Sequence, residues 1–195
     1  MVGRGVRSRN RAPAGTRFRP IVLTDAREAG RQREAMFLDL EPIASGELRS
    51  YRRRFLRWFG REFRARRLFG VLAENQEGRT VASGLLWLQP RHPTPIFPQL
   101  HTPYILSVYT EPEIRRRGLG TAIVRSLVET ARELGFPRVE LHATELGRGI
   151  YHRLGFRPTN QMRLSLNRQH QAARGKGKRA PGRSGTIHRG RTAAR

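Results

Sequence analysis

The residues best arranged for chemistry are Arg115, Gly118 and Gly120, spaced Arg-x-x-Gly-x-Gly inside the stretch YILSVYTEPEIRRRGLG at 104–120. The apolar run 104–110 reads as a strand, Pro112 as part of a turn, and the segment from Gly118 as the start of a helix. The first N–H groups of a helix lack an intrahelical partner and carry partial positive charge. Glycines keep the backbone open to an approaching anion. A strand, a glycine turn and a helix therefore suit a pyrophosphate, with Arg115, Arg116 and Arg117 adding charge nearby. The same glycines serve equally well as turn geometry, so the pair alone does not decide. Other chemistries are closed off. The chain has no cysteine, which removes disulfides, thiolate zinc sites and a cysteine nucleophile. Its six histidines show no pairing at metal-ligand spacing, so no metal is expected.

Such a turn must be held between a sheet and a packed helix, and the flanking patterns supply both. Ile123, Leu127, Ala131 and Leu134 fall on one face of a helix over 118–134, with Gly135 as its stop. Upstream, 18–23 reads as a strand. Asp25 with Glu28 three positions on resembles a capping box that starts a helix towards Leu40. Leu48, Tyr51, Phe55, Trp58, Phe59 and Phe63 recur at helical spacing and define a second helix over 46–64. Strands over 68–74 and 80–89 flank Asn75-Gln76-Glu77-Gly78, a hairpin signal. Prolines at 90, 93, 95, 98 and 103 mark a long loop, a frequent place for function. Downstream come a strand over 138–143, a short helix ending near Leu154 and Gly155, and a last strand over 160–166.

The 195 residues suffice for one domain with a real core. The net charge of +24 is concentrated at the ends. Residues 1–19 hold six Arg and residues 167–195 nine Arg or Lys, with no acid in either stretch. Residues 1–17 and 167–195 are therefore expected to be disordered basic tails around a folded domain at 18–166. Polyanion binding explains the charge. So does coding bias, since 37 of the 39 basic residues are Arg. No run long and apolar enough for a membrane span occurs, and the basic N-terminus lacks the apolar core of a secretory signal. A cytoplasmic protein is expected.

One resemblance joins these features. Arg115, Gly118 and Gly120, after a strand ending Val108-Tyr109-Thr110 and a proline, resemble the acetyl-CoA-binding motif of the GCN5-related N-acetyltransferase (GNAT) family. Further on, LHATELGRGIYHRLGF at 141–156 is similar to that family's second hallmark: a strand, a short helix bearing a Tyr, then Leu-Gly-Phe. The two occur in family order, and the close resemblance covers 104–166. It implies an α/β, three-layer fold: a mixed, mostly antiparallel central sheet, helices on both faces, and a splayed pair of parallel strands, here 104–110 and 138–143.

The resemblance also implies a chemistry. Gly118 and Gly120, with Arg115, Arg116, Arg117 and Leu119, would present backbone N–H groups to the CoA pyrophosphate, and Thr121 would add its N–H or hydroxyl. Val108, Tyr109 and Thr110 would hold the pantetheine arm through main-chain bonds like those of an added strand. Tyr151 stands at the family's usual general-acid position. A phenol with a pKa of about 10 is protonated at neutral pH and can share its proton with a departing thiolate, whose thiol has a pKa of about 8.5. The alternative is a Tyr packed in the core with its hydroxyl bonded locally. For the base, Glu145 and His101 qualify by position and His142 by chemistry, and the sequence does not choose among them. Without a cysteine, acetyl-CoA and a primary amine would react directly in a ternary complex. The acceptor, a small amine, an amino acid, an antibiotic or a protein terminus, would meet the two early helices and the loop 90–103. The alternative function is a nucleic-acid- or ribosome-associated protein with little or no catalysis. It would use the tails and the arginines at 49, 52, 53, 54, 57, 61 and 64. Monomer and homodimer both remain open.

Overall fold

In β2 (Leu68–Asn75) successive side chains alternate between two cores, as strand geometry requires. Leu68 and Leu72 pack with Ala29, Phe55 and Phe59 on one face. Phe69, Val71 and Ala73 pack with Leu119, Ile123, Val124 and Leu127 on the other. The computed structural model describes residues 12–164 and Leu166. Around β2 lie β1 (Thr16–Pro20), α1 (Ala26–Leu38), α2 (Ser45–Arg64), β3 (Thr80–Pro90), β4 (His101–Thr110), α3 (Leu119–Glu133), β5 (Glu140–Leu141) and α4 (Glu145–Arg153). The five strands form one sheet in sequence order. Neighbours from β1 to β4 are antiparallel, and β4 and β5 are parallel. Helices α1 and α2 cover one face and α3 the other, so the expected three-layer α/β fold is present.

Several boundaries moved, each for a physical reason. β1 begins at Thr16, two residues into the stretch read as tail, because Thr16 and Arg17 pair with Asn75 and Glu74 and the Arg17 guanidinium reaches Glu74 at 3.0 Å. Asp25 does not cap α1 with its side chain. Arg19 holds its carboxylate at 2.7 and 2.9 Å, and the Val22 N–H donates to it at 2.7 Å. Glu28 bonds Arg31 instead of completing a capping box. β4 starts at His101, earlier than the proline count suggested. Pro103 removes one donor, yet Thr102 and His101 still pair with Gln89 and Pro90. β5 is only two residues long. From Pro158 the chain is a separate unit. Its described residues, 158–164 and Leu166, carry no strand, so the strand expected over 160–166 is not formed there. A strand exists through a hydrogen-bonded partner, and none is present for it among the described residues. The C-terminal tail at 167–195 and residues 1–11 of the N-terminal tail lie outside the described residues. Among those residues no helix is long and apolar enough to cross a membrane.

The seat of α3 on the sheet depends on Gly84 in β3. A Cβ there would lie 2.5 Å from Ile123 Cγ2 and 2.9 Å from Leu127 Cδ1. Gly84→Val is expected to destabilise the fold by about 2–3 kcal/mol, as overpacking does. Chemical denaturation read by circular dichroism checks this, and an unchanged midpoint would contradict it.

Candidate active site

The turn between β4 and α3 leaves the first amides of the helix open. After β4, a single 3-10 turn spans Pro112–Ile114, and Arg116 and Gly118 then take left-handed backbone angles, with φ of 63° and 82°. Gly118 caps α3, and its carbonyl accepts from the Ala122 N–H at 3.0 Å. The amides of Leu119, Gly120 and Thr121 precede that first bond and have no partner inside the helix. The Leu119 side chain is buried in the core, so only its backbone faces the turn. The arginines do not act alike. Arg115 is a brace: Nε donates to the Thr110 carbonyl at 2.9 Å, Nη2 pairs with Asp39 at the end of α1, and the guanidinium lies 5.6 Å from the Tyr109 ring centroid. Arg116 and Arg117 are exposed and remain beside the open amides.

Beside the turn, the sheet opens. β5 pairs with β4 only at Tyr104↔Glu140 and Ile105↔Leu141. From Leu106 to Thr110 that edge of β4 has no strand partner among the described residues. This is the splayed parallel pair that the motifs implied. A bulge lies at the same place: Leu85 pairs with Leu106 and Ser83 with Tyr109, so Gly84 opposes two residues, and Ser107 takes φ of 55°. Of the three residues expected along the pantetheine arm, Val108 is half-buried against the α3 core. Tyr109 is buried and donates to Glu111 Oε2 at 3.3 Å. Thr110 has one carbonyl lone pair already taken by Arg115.

Tyr151 approaches this opening from α4. Thr144 caps the helix, its Oγ1 accepting from the Gly147 N–H at 3.2 Å. Gly147 leaves room for the Tyr151 ring one turn on, since a Cβ would sit 2.9 Å from Cε2 and 3.3 Å from the hydroxyl. The ring also packs edge-on against Phe156 at 5.8 Å and joins the core under α3. Burial pushes the Tyr151 phenol above its ordinary value, and Tyr104 is close enough to add to the shift. Both readings of Tyr151 thus have a structural basis: its ring is packed, and its pKa keeps it a proton donor at neutral pH.

The three base candidates separate. His101 starts β4, the end of the strand remote from the turn. Glu145 is solvent-exposed and paired with Arg148 at 2.6 Å. His142 follows β5 directly, and its Nδ1 hydrogen-bonds the Tyr104 hydroxyl. Glu111, which the strand reading stopped short of, is a buried carboxylate one residue beyond β4. Arg31 holds it at 2.5 Å, which makes it a structural anchor for the turn. The arginines of α2 also divide. Arg52 is bound to the buried Glu34 and Arg61 to the buried Glu62, while Arg49, Arg53, Arg54 and Arg57 are exposed.

Comparison with known proteins agrees with this geometry. The acetyltransferase (GNAT) family matches residues 33–156. A glucosamine 6-phosphate N-acetyltransferase of Trypanosoma brucei brucei is 35% identical over 97 residues, covering 49% of this chain and 64% of that relative, less than two thirds of its length. Among solved structures, a GCN5-related N-acetyltransferase from Ralstonia eutropha JMP134 superposes with a TM-score of 0.70 at 31% identity, over 78% of this chain and 99% of that one. A predicted acetyltransferase from Clostridium acetobutylicum, solved with acetyl-CoA, also gives 0.70, at 25% identity over 80% and 97% of the two chains. With both motifs seated on the splayed β4–β5 pair, and with the family matched over most of the folded region, the chain belongs to the acetyltransferase (GNAT) family.

Proposed function

We propose that the chain transfers an acetyl group from acetyl-CoA to a primary amine by direct attack within a ternary complex, with Tyr151 as general acid. The observation that carries this reading is a continuous path. Open amides at Leu119, Gly120 and Thr121 lie at one end, the edge of β4 without a strand partner among the described residues runs from them, and Tyr151 lies near Tyr104, where β4 last pairs with β5. The residues fit the cosubstrate. A diphosphate finds helix-terminal N–H groups with Arg116 and Arg117 beside them, and an extended amide chain finds a free strand edge. Acetyl-CoA supplies the thioester whose acyl group is transferred. Gly118 and Gly120 admit its diphosphate, Val108 and Tyr109 orient its arm, and Tyr151 returns a proton to the sulfur as the C–S bond breaks. The amine must lose a proton as its N–C bond forms. His142, which directly follows β5 and whose Nδ1 hydrogen-bonds the Tyr104 hydroxyl, is the base candidate this reading favours. Holding amine and thioester together supplies most of the rate, and proton transfer adds to it.

The Trypanosoma relative makes an amino sugar phosphate a first acceptor to try. Thiol release from acetyl-CoA, measured across a panel of primary amines with the acetylated product identified by mass, tests the reading. Amine-dependent thiol release with one acetyl added per thiol is expected. Tight acetyl-CoA binding with no amine acetylated would overturn it.

A further inference from the structure

Arg33 differs from the arginines around it. Arg31, on the same helix, is held by Glu28 and Glu111, and Arg52, on the neighbouring helix, by Glu34. Arg33 is half-buried and forms no ion pair with a carboxylate among the described residues. Its guanidinium lies 4.9 Å from the Phe37 ring centroid and 5.9 Å from that of Phe55, and Nη1 donates to Ser107 Oγ at 2.5 Å. Aromatic rings replace part of the hydration that a half-buried cation gives up, but they supply no counter-ion. Its polar partners among the described residues are neutral hydroxyls, Ser107 by a direct bond and Tyr51 beside the guanidinium, which leave donors of its five N–H groups over and supply no charge.

Its place gives the unmatched charge a meaning. Ser107 sits in the bulge of β4, just past the last pair with β5, on the strand edge left open. Tyr151 reaches the opening from the α3 and α4 face, and Arg33 stands on the opposite face, on α1. With the cosubstrate entering along the turn before α3, the α1 and α2 face is left for the acceptor. We propose that Arg33 binds an anionic group, a phosphate or a carboxylate, carried by the amine acceptor. The inference rests on the acetyl-transfer reading of the same site. A planar guanidinium fork matches either anion with two parallel bonds.

Calorimetric titration of the full chain saturated with CoA reads recognition without turnover. The probes are ethanolamine, O-phosphoethanolamine and β-alanine, and glucosamine with and without a 6-phosphate. The charged members are expected to bind at least about 10-fold tighter than their neutral counterparts. Arg33→Lys should keep part of that preference and Arg33→Gln should lose it, with CoA affinity unchanged in both. A phosphate probe ahead of β-alanine assigns a phosphate, and the reverse assigns a carboxylate. Equal binding of charged and neutral probes by the unaltered chain overturns the inference, as does no binding of any charged probe. So does an Arg33→Gln effect of the same size on ethanolamine as on its phosphate. Thiol release with the same amines separates the two claims. Discrimination in binding without thiol release removes the acetyl-transfer reading and keeps the anion site. Thiol release at equal kcat/KM for charged and neutral amines removes the anion site alone.

Discussion

Tyr151→Phe is expected to lower kcat by about 10²- to 10⁴-fold, the range associated with a positioned general acid, and to leave the acetyl-CoA Kd unchanged. The substitution keeps the ring that packs on Phe156 and on the core beneath α3, so the fold should tolerate it. It removes only the hydroxyl that Gly147 leaves uncrowded and that lies near Tyr104. The sign of the pH dependence follows from burial. A phenol raised above its ordinary value near 10 stays protonated through the neutral and mildly alkaline range. The acid form is lost only as pH climbs through that raised value, so Tyr151 should impose no alkaline limb on kcat below about pH 10. Steady-state kinetics against pH for both proteins check this. Equal kcat for the two would leave Tyr151 a packing residue.

The second large effect concerns the turn. Gly118→Val is expected to weaken acetyl-CoA binding about 100-fold or more, the equivalent of losing two charge-assisted hydrogen bonds of about 1.5 kcal/mol each. Gly118 holds φ of 82°, a region that β-branched residues avoid, at a cost of about 1–3 kcal/mol. A Cβ there meets nothing within 4 Å, so the penalty is one of backbone conformation rather than crowding. The turn can relieve it only by rotating the amides that follow. Gly120→Leu should act by another route. Its Cβ would sit 3.2 Å from Ile150 Cδ1, the residue before Tyr151, so a larger side chain presses α4 away from α3. That variant is expected to lose turnover as well as affinity, whereas Gly118→Val at saturating acetyl-CoA should keep most of its kcat. Calorimetry with CoA and single-turnover kinetics distinguish the two. Unchanged affinity in Gly118→Val would remove the diphosphate from this turn.

Both sites could be pointed to in the sequence because each is written in a short stretch of it. The glycine spacing at Gly118 and Gly120, the apolar periodicity of α3 and the Tyr-bearing segment before Leu154 are local patterns, and local patterns are what periodicity and turn chemistry report. The alternating strands and the aromatic stripe of α2 were legible for the same reason. Where the reading failed, a competing partner from elsewhere in the chain decided the outcome. Asp25 went to Arg19 instead of capping α1, and Thr16 and Arg17 were drawn into β1 by β2. Periodicity over 160–166 suggested a strand, but alternation supplies no partner.

What the sequence by itself determined is therefore the family fold, the glycine turn between β4 and α3 and the place of Tyr151 along the chain. The tertiary structure alone decided which distant residues come together around these segments. Arg33 and Ser107 are 74 positions apart, Arg115 and Asp39 are 76 apart, and Tyr104 and His142 are 38 apart. No spacing rule couples such pairs. Their contacts exist because α1 and β4 pack on each other and because β5 stays beside β4 for only two residues before the strands part.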